Sequence, residues 1–210
     1  MKVSVSILSS TLKPNDIILK ANTTDADFIH LDIMDGKFVE NKTWTMSEVM
    51  KLSSLTSKKF DVHLMVKNPS KYINDYAMVN TEYLTFHYEA VKDVSSVIDE
   101  IKSVGLKPGI SIKPNTNVSE ILPYLKDLKQ VLVMSVEPGK SGQKFMESVV
   151  YKIDALRRVI DENGYDTIIS VDGGINDETI EIVKTAGVDM VVSASYLHSG
   201  NMQEKINILR

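Results

Sequence analysis

The sequence predicts a (β/α)8 barrel. Short Val- and Ile-rich runs alternate with longer amphipathic segments along 210 residues. Polar side chains recur at the carboxyl ends of the strand-like runs. Strands alternating with helices imply parallel pairing through right-handed crossovers, and about eight such units in roughly 200 residues is the lower size limit of the closed barrel. The competing fold is an open doubly wound sheet. Its dinucleotide-binding form is disfavoured because no Gly-x-Gly-x-x-Gly follows the first strand. No linker, repeat or low-complexity tract interrupts the pattern, so residues 1–210 are expected to form one domain.

In chain order, strands are expected at 3–8, 28–33, 60–65, 83–87, 107–112, 130–136, 167–171 and 190–193, and helices at 14–21, 69–78, 94–104, 118–125, 144–163 and 177–186. Pro14 and Pro69 suit a first helical turn, where a missing N–H costs nothing. Gly105, Gly164 and Gly187 follow helical stretches, where a left-handed terminating residue is wanted. Asp172-Gly173-Gly174-Ile175-Asn176-Asp177 reads as a strand end, a glycine turn and an N-cap at Asn176 or Asp177.

Composition narrows the function classes. A formal net charge of −4 offers no broad basic surface for nucleic acid or anionic lipid. The absence of cysteine excludes disulfides and thiolate metal sites. The first residues carry too short an apolar run for a signal peptide, and no run is long enough to span a bilayer. A soluble cytoplasmic protein is expected.

The strand at 28–33 should be apolar, yet it holds His30 and Asp32. Side chains two apart share a face of a strand, so His30, Asp32 and Met34 should line one surface. A buried carboxylate is costly unless it is paired or binds a metal. Function in such a barrel gathers at carboxyl strand ends, where Ser6, His63, His87, Ser135 and Asp172 also fall. Singly, each has a structural explanation: a hydrogen-bonded core histidine, or an Asp that shapes a turn. Jointly, His30, Asp32, His63 and Asp172 form a candidate site for one divalent metal ion, with Zn2+, Fe2+, Mn2+ and Co2+ all suited to imidazole and carboxylate.

Met34, Met65 and Met134 sit at or just past strand ends. Each alone fits core filling; together they could wall off a reacting centre from water. Late turns rich in glycine, Pro138-Gly139-Lys140-Ser141-Gly142-Gln143 and Asp172-Gly173-Gly174, are followed by Ser193-Ala194-Ser195. Barrels bind phosphate with backbone N–H groups from late loops, and glycine permits close approach.

These residues carry a resemblance. The chain resembles the ribulose-phosphate 3-epimerase family nearly end to end, through Ser6-Ile7-Leu8-Ser9, His30-Leu31-Asp32-Ile33-Met34-Asp35-Gly36, Asp61-Val62-His63-Leu64-Met65, Phe86-His87-Tyr88-Glu89-Ala90, Val133-Met134-Ser135-Val136, Gly142-Gln143-Lys144-Phe145 and Val171-Asp172-Gly173-Gly174-Ile175. The resemblance implies a TIM barrel of the ribulose-phosphate-binding type and a homo-oligomer. It implies one divalent metal on His30, Asp32, His63 and Asp172, with Asp32 and Asp172 also the acid/base pair. Ser6 would hold a substrate hydroxyl with His63 nearby, and Met34, Met65 and Met134 would cap the intermediate. Gly139, Lys140, Ser141, Gly142, Gly173, Gly174, Ala194 and Ser195 would surround the phosphate. The implied reaction inverts C3 of D-ribulose 5-phosphate through a cis-enediolate, giving D-xylulose 5-phosphate. Removal of the proton from one face and delivery to the other needs a carboxylate on each side, and a metal Lewis acid stabilises the charge.

The chain departs from the family pattern toward the substrate tail. Glu137, Lys140, Ser141, Glu40, Lys113 and Ala194 stand where Asn, Phe, Gly, Pro, Asn and Gly are usual. The substrate could therefore be another ketose phosphate, such as a 2-ketohexose 6-phosphate of the allulose 6-phosphate type. A non-catalytic binding barrel and a Schiff-base aldolase or a decarboxylase are the other classes; for the aldolase, Lys107 and Lys113 are the lysines to consider.

Overall fold

Residues 1–210 are described by a computed structural model. Eight strands, β1 (Lys2–Ser6), β2 (Phe28–Met34), β3 (Lys59–Met65), β4 (Thr81–His87), β5 (Lys107–Ile112), β6 (Gln130–Met134), β7 (Ile168–Asp172) and β8 (Met190–Ser193), pair in sequential parallel order, and β8 closes onto β1. The helices are α1 (Pro14–Asn22), α2 (Met46–Ser53), α3 (Ile73–Tyr76), α4 (Val94–Ser103), α5 (Val150–Asn163), α6 (Ile180–Thr185), α7 (Ser195–His198) and α8 (Met202–Leu209). The expected barrel is thus the observed one. No helix is long and apolar enough to cross a membrane.

Alternation along each strand sorts the side chains. Ile29, Leu31, Ile33, Phe60, Val62 and Leu64 belong to the main apolar core with the helices. The intervening residues point into the barrel, where Ser4, Asp61, His30 and Gln130 are linked by hydrogen bonds. Phe28, Tyr83 and Met190 form a small separate apolar cluster at the amino ends of their strands. The usual oily barrel interior is here partly polar, which leaves donors and acceptors to support side chains at the mouth.

Several expected helices are shorter or absent. The segment expected as a helix at 118–125 forms two 3-10 turns, Val118–Glu120 and Leu122–Asp127, because Pro123 would lose its bond and press on the Ser119 carbonyl in an α-helix. The one expected at 69–78 divides into a 3-10 turn, Pro69–Lys71, and the four-residue α3; Ser70, Asn74 and Asp75 favour local side-chain bonding over helix. Of the helix expected at 144–163, only Val150–Asn163 is α-helical, and it ends at Gly164 in the left-handed conformation, φ 63°. The helix expected at 177–186 begins at Ile180; Asn176 Oδ1 accepts from the N–H groups of Glu178 and Thr179 and shapes the preceding turn. Helix α2 carries a short apolar signal, Val49 and Leu52, but is started by a capping box in which Thr45 and Glu48 satisfy each other's backbone N–H.

Candidate active site

Register brings the polar residues together. In the β2–β3 pair, His30 lies beside Asp61 and Asp32 beside His63. Ser6 of β1 pairs with His30, and Asp172 of β7 with Met134 of β6. The strands therefore deliver His30, Asp32, His63 and Asp172 to one place: their ligand atoms all lie within 4.8 Å of one another.

Above them opens a cavity of about 680 Å³. Ser6, Asp32, Met34, Met65, Met134 and Asp172 line its floor and walls, and residues 137–145, 173–179 and 192–196 form its rim. Every residue expected to hold the metal or the substrate reaches this cavity except His30 and His63, which are fully buried beside Asp32; His87, Ser135, Glu40 and Lys113 lie outside its lining. Lys140 and Ser141 are exposed, Gly139 is buried, and Ala194 leads into α7, which Ser195 begins. Glu40 and Glu137 are exposed. Gly174, at φ 64°, presses so closely on the segment between β6 and α5 that a Cβ there would lie 2.4 Å from the Phe145 nitrogen.

Asp32 is the hub. Its Oδ1 lies 3.2 Å from His30 Nε2 and 3.1 Å from His63 Nδ1, and its Oδ2 accepts from the Ser6 hydroxyl at 3.0 Å. Burial pushes the Asp32 carboxyl up, but His30 and His63 overcome this and hold it far below the usual carboxylate range. Burial likewise pulls His30 down, while Asp32 and Asp61 hold it well above the ordinary imidazole value. At Asp172 the pull of the same two histidines is outweighed. Burial, reinforced by the Asp32 charge, pushes its carboxyl up to about 6. Neighbouring carboxyls driven in opposite directions are the arrangement acid/base chemistry uses.

The donor set fits a metal ion. Ligands about 2.0–2.2 Å from a tetrahedral cation stand roughly 3.4 Å apart, close to the separations around Asp32 Oδ1. His30 Nδ1 is 2.8 Å from Asp61 Oδ2, the outer carboxylate contact typical of a metal-ligating histidine.

A supporting layer surrounds the cluster. Asp61 also accepts from Ser4 at 3.0 Å and from Gln130 at 3.2 Å. His63 Nε2 meets His87 Nε2 at 2.9 Å, and His87 Nδ1 meets Glu89 Oε2 at 3.0 Å. Burial lowers His87 to about 4. The Ser135 hydroxyl lies 2.8 Å from the Asp172 carbonyl and 2.6 Å from that of Gly173, tying down the turn after β7. Strand spacing places His87 and Ser135 at strand ends without assigning them a part, and does not single out Asp61 or Gln130. Asp61 was detectable: it shares the inward face of β3 with His63.

The profile of the Ribulose-phosphate 3 epimerase family matches residues 2–198. The chain is 43% identical over 196 residues to a ribulose-phosphate 3-epimerase of Methanocaldococcus jannaschii, covering 93% of this chain and 83% of that one. It is 38% identical over 207 residues to the protein of the same name in Bacillus subtilis, covering 98% and 95%. Among solved structures, phosphoribosyl anthranilate isomerase from Thermus thermophilus superposes with a TM-score of 0.68 at 12% identity, covering 100% of this chain and 96% of the other, a likeness of fold alone.

Proposed function

This chain belongs to the ribulose-phosphate 3-epimerase family, and from that premise we propose that it interconverts D-ribulose 5-phosphate and D-xylulose 5-phosphate by inverting C3. The observation that carries the reading is the convergence of Asp32 and Asp172, from β2 and β7, on one cavity floor with their carboxyls shifted in opposite directions.

Epimerisation beside a ketone needs a proton taken from one face of the carbon and another given to the opposite face. Asp32 and Asp172, on separate strands, are read as the two proton carriers, exchanging parts with the direction of reaction. Ser6 orients Asp32 and offers its oxygen to a substrate hydroxyl. Met34, Met65 and Met134 supply an apolar wall that keeps water from the intermediate. His30, Asp32, His63 and Asp172 would hold one divalent cation, Zn2+, Fe2+, Mn2+ or Co2+, which when bound supplies Lewis-acid stabilisation of the developing charge.

The phosphate is assigned to the rim, among Gly139, Lys140, Ser141, Gly142, Gly173, Gly174, Ala194 and Ser195. Backbone N–H groups would hold it there, with Lys140 adding positive charge. Closure of β8 onto β1 supports reading residues 1–210 as one barrel domain. Family membership supports a homo-oligomer, which sedimentation velocity tests.

The functional test is a panel of D-ribulose 5-phosphate and 2-ketohexose 6-phosphates offered to protein loaded with each cation. Inversion of the pentulose phosphate is expected to be fastest, and Asp172→Asn is expected to abolish nearly all turnover. An Asp172→Asn protein as active as the parent contradicts the proposed role, and a faster hexulose phosphate contradicts the substrate.

A further inference from the structure

We propose that His87 and Glu89 are a positioning pair that fixes the proton arrangement of His63 and so presents its Nδ1 lone pair to the metal site beside Asp32. The inference rests on the reading of His63 as a metal ligand.

A neutral imidazole has one N–H and one bare nitrogen. His63 Nε2 and His87 Nε2 face each other at 2.9 Å, so one must donate and the other accept. The far side of His87 decides which. Its Nδ1 lies 3.0 Å from Glu89 Oε2, and a carboxylate only accepts. His87 therefore carries its proton on Nδ1, its Nε2 is bare, and His63 donates from Nε2. That leaves His63 Nδ1 bare, 3.1 Å from Asp32 Oδ1. Two lone pairs facing at that distance require positive charge between them, supplied by a proton shared with Asp32 or, in its place, by a bound cation.

Glu89 is itself held. Its Oε1 accepts from the Lys113 backbone N–H at 2.8 Å and from the Thr116 hydroxyl. That loop is clamped by Lys152 of α5, fully buried, whose Nζ donates to the carbonyls of Lys113 at 2.9 Å, Pro114 at 2.6 Å and Thr116 at 2.6 Å. The Phe38 ring, in the segment after β2, lies 4.6 Å from that of His87.

Glu89→Gln turns this chain around. The Lys113 N–H cannot become an acceptor, so the Gln carbonyl must stay against it and the amide NH2 must face His87 Nδ1. His87 then moves its proton to Nε2 and confronts the N–H of His63. The test measures Zn2+ affinity of the full-length protein by competition with a chromogenic chelator, and the histidine tautomers by long-range 1H–15N correlation of the Zn2+-loaded parent. We expect Glu89→Gln to bind Zn2+ at least tenfold more weakly, within the range that outer-shell partners of metal ligands command. In the parent, the protons should sit on His87 Nδ1 and His63 Nε2. Zn2+ affinity within twofold of the parent, or a His87 proton on Nε2 in the parent, overturns the inference. If the variant does not fold, the parent spectrum decides alone. A parent that binds no Zn2+ overturns the metal-site reading itself, whereas a binding parent with an unaffected variant overturns only this inference.

Discussion

His30 Nδ1 lies 2.8 Å from Asp61 Oδ2, joining a predicted metal ligand to a carboxylate that is fully buried inside the barrel. Asp61 also accepts from Ser4 and Gln130, so it closes a small polar network beneath the mouth. Asp61→Asn keeps the shape and lets Gln130 turn its otherwise unpaired carbonyl to the new amide. Its melting temperature should change little, while divalent-cation affinity falls about 10- to 100-fold. Asp61→Ala strands three buried polar groups and should cost roughly 3 kcal/mol or more. Chelator competition and chemical denaturation check the two effects.

Cation binding should weaken with acid. Asp172 is pushed up to about 6 by burial and the Asp32 charge, and His30 is held above its ordinary value by Asp32 and Asp61 against the pull of burial. Both protons oppose a cation and must leave when it binds. Affinity is therefore expected to be highest above both pKa values, to fall first as pH drops through that of His30, which lies above the ordinary imidazole value, and further through about 6 as Asp172 takes its proton, with protons released on binding. Titration calorimetry at pH 7.5, 6.5 and 5.5 in buffers of different ionisation enthalpy measures both. An affinity that is constant across this range contradicts the assignment.

Gly174 sets the width of the rim. A Cβ there would lie 2.4 Å from the backbone nitrogen of Phe145 and 2.8 Å from its Cα, at a φ of +64°. Because both obstacles are main chain, Gly174→Ala must displace the segment that follows Gly142. A stability loss of roughly 1–3 kcal/mol should accompany a rise in KM for the phosphorylated substrate, checked by denaturation and steady-state kinetics.

Lys152 is a buried cation whose ammonium group satisfies three carbonyls rather than a carboxylate. Lys152→Met removes the charge but leaves those carbonyls short of donors, each costing roughly 1–3 kcal/mol. Net destabilisation of about 2 kcal/mol is expected, since relief of the lysine's own burial cost offsets part of the loss. Hydrogen exchange should quicken first around Lys113 and Thr116.

The barrel was legible because strand alternation and strand-end chemistry agree. The His30–Asp32 spacing alone places both side chains on one face, and the same rule carries Asp61 with His63. What strand spacing does not carry is the neighbour on the next strand. The contact between His63 and His87 joins β3 to β4, and Glu89 meets Lys113 only because the β4 and β5 ends are adjacent. The connection between β5 and β6 was misread as helix because its apolar spacing masked Pro123. The rim residues Lys140, Ser141 and Ala194 were located by motif order, yet their spacing says nothing of which sugar they accept.

Proton exchange at C3 tests the central claim most directly. Metal-loaded protein incubated with D-ribulose 5-phosphate in D2O, followed by NMR, should give D-xylulose 5-phosphate carrying deuterium at C3, and no D-xylulose 5-phosphate should form with Asp172→Asn. An absence of both inversion and deuterium uptake with Zn2+, Mn2+, Fe2+ and Co2+ would contradict the account.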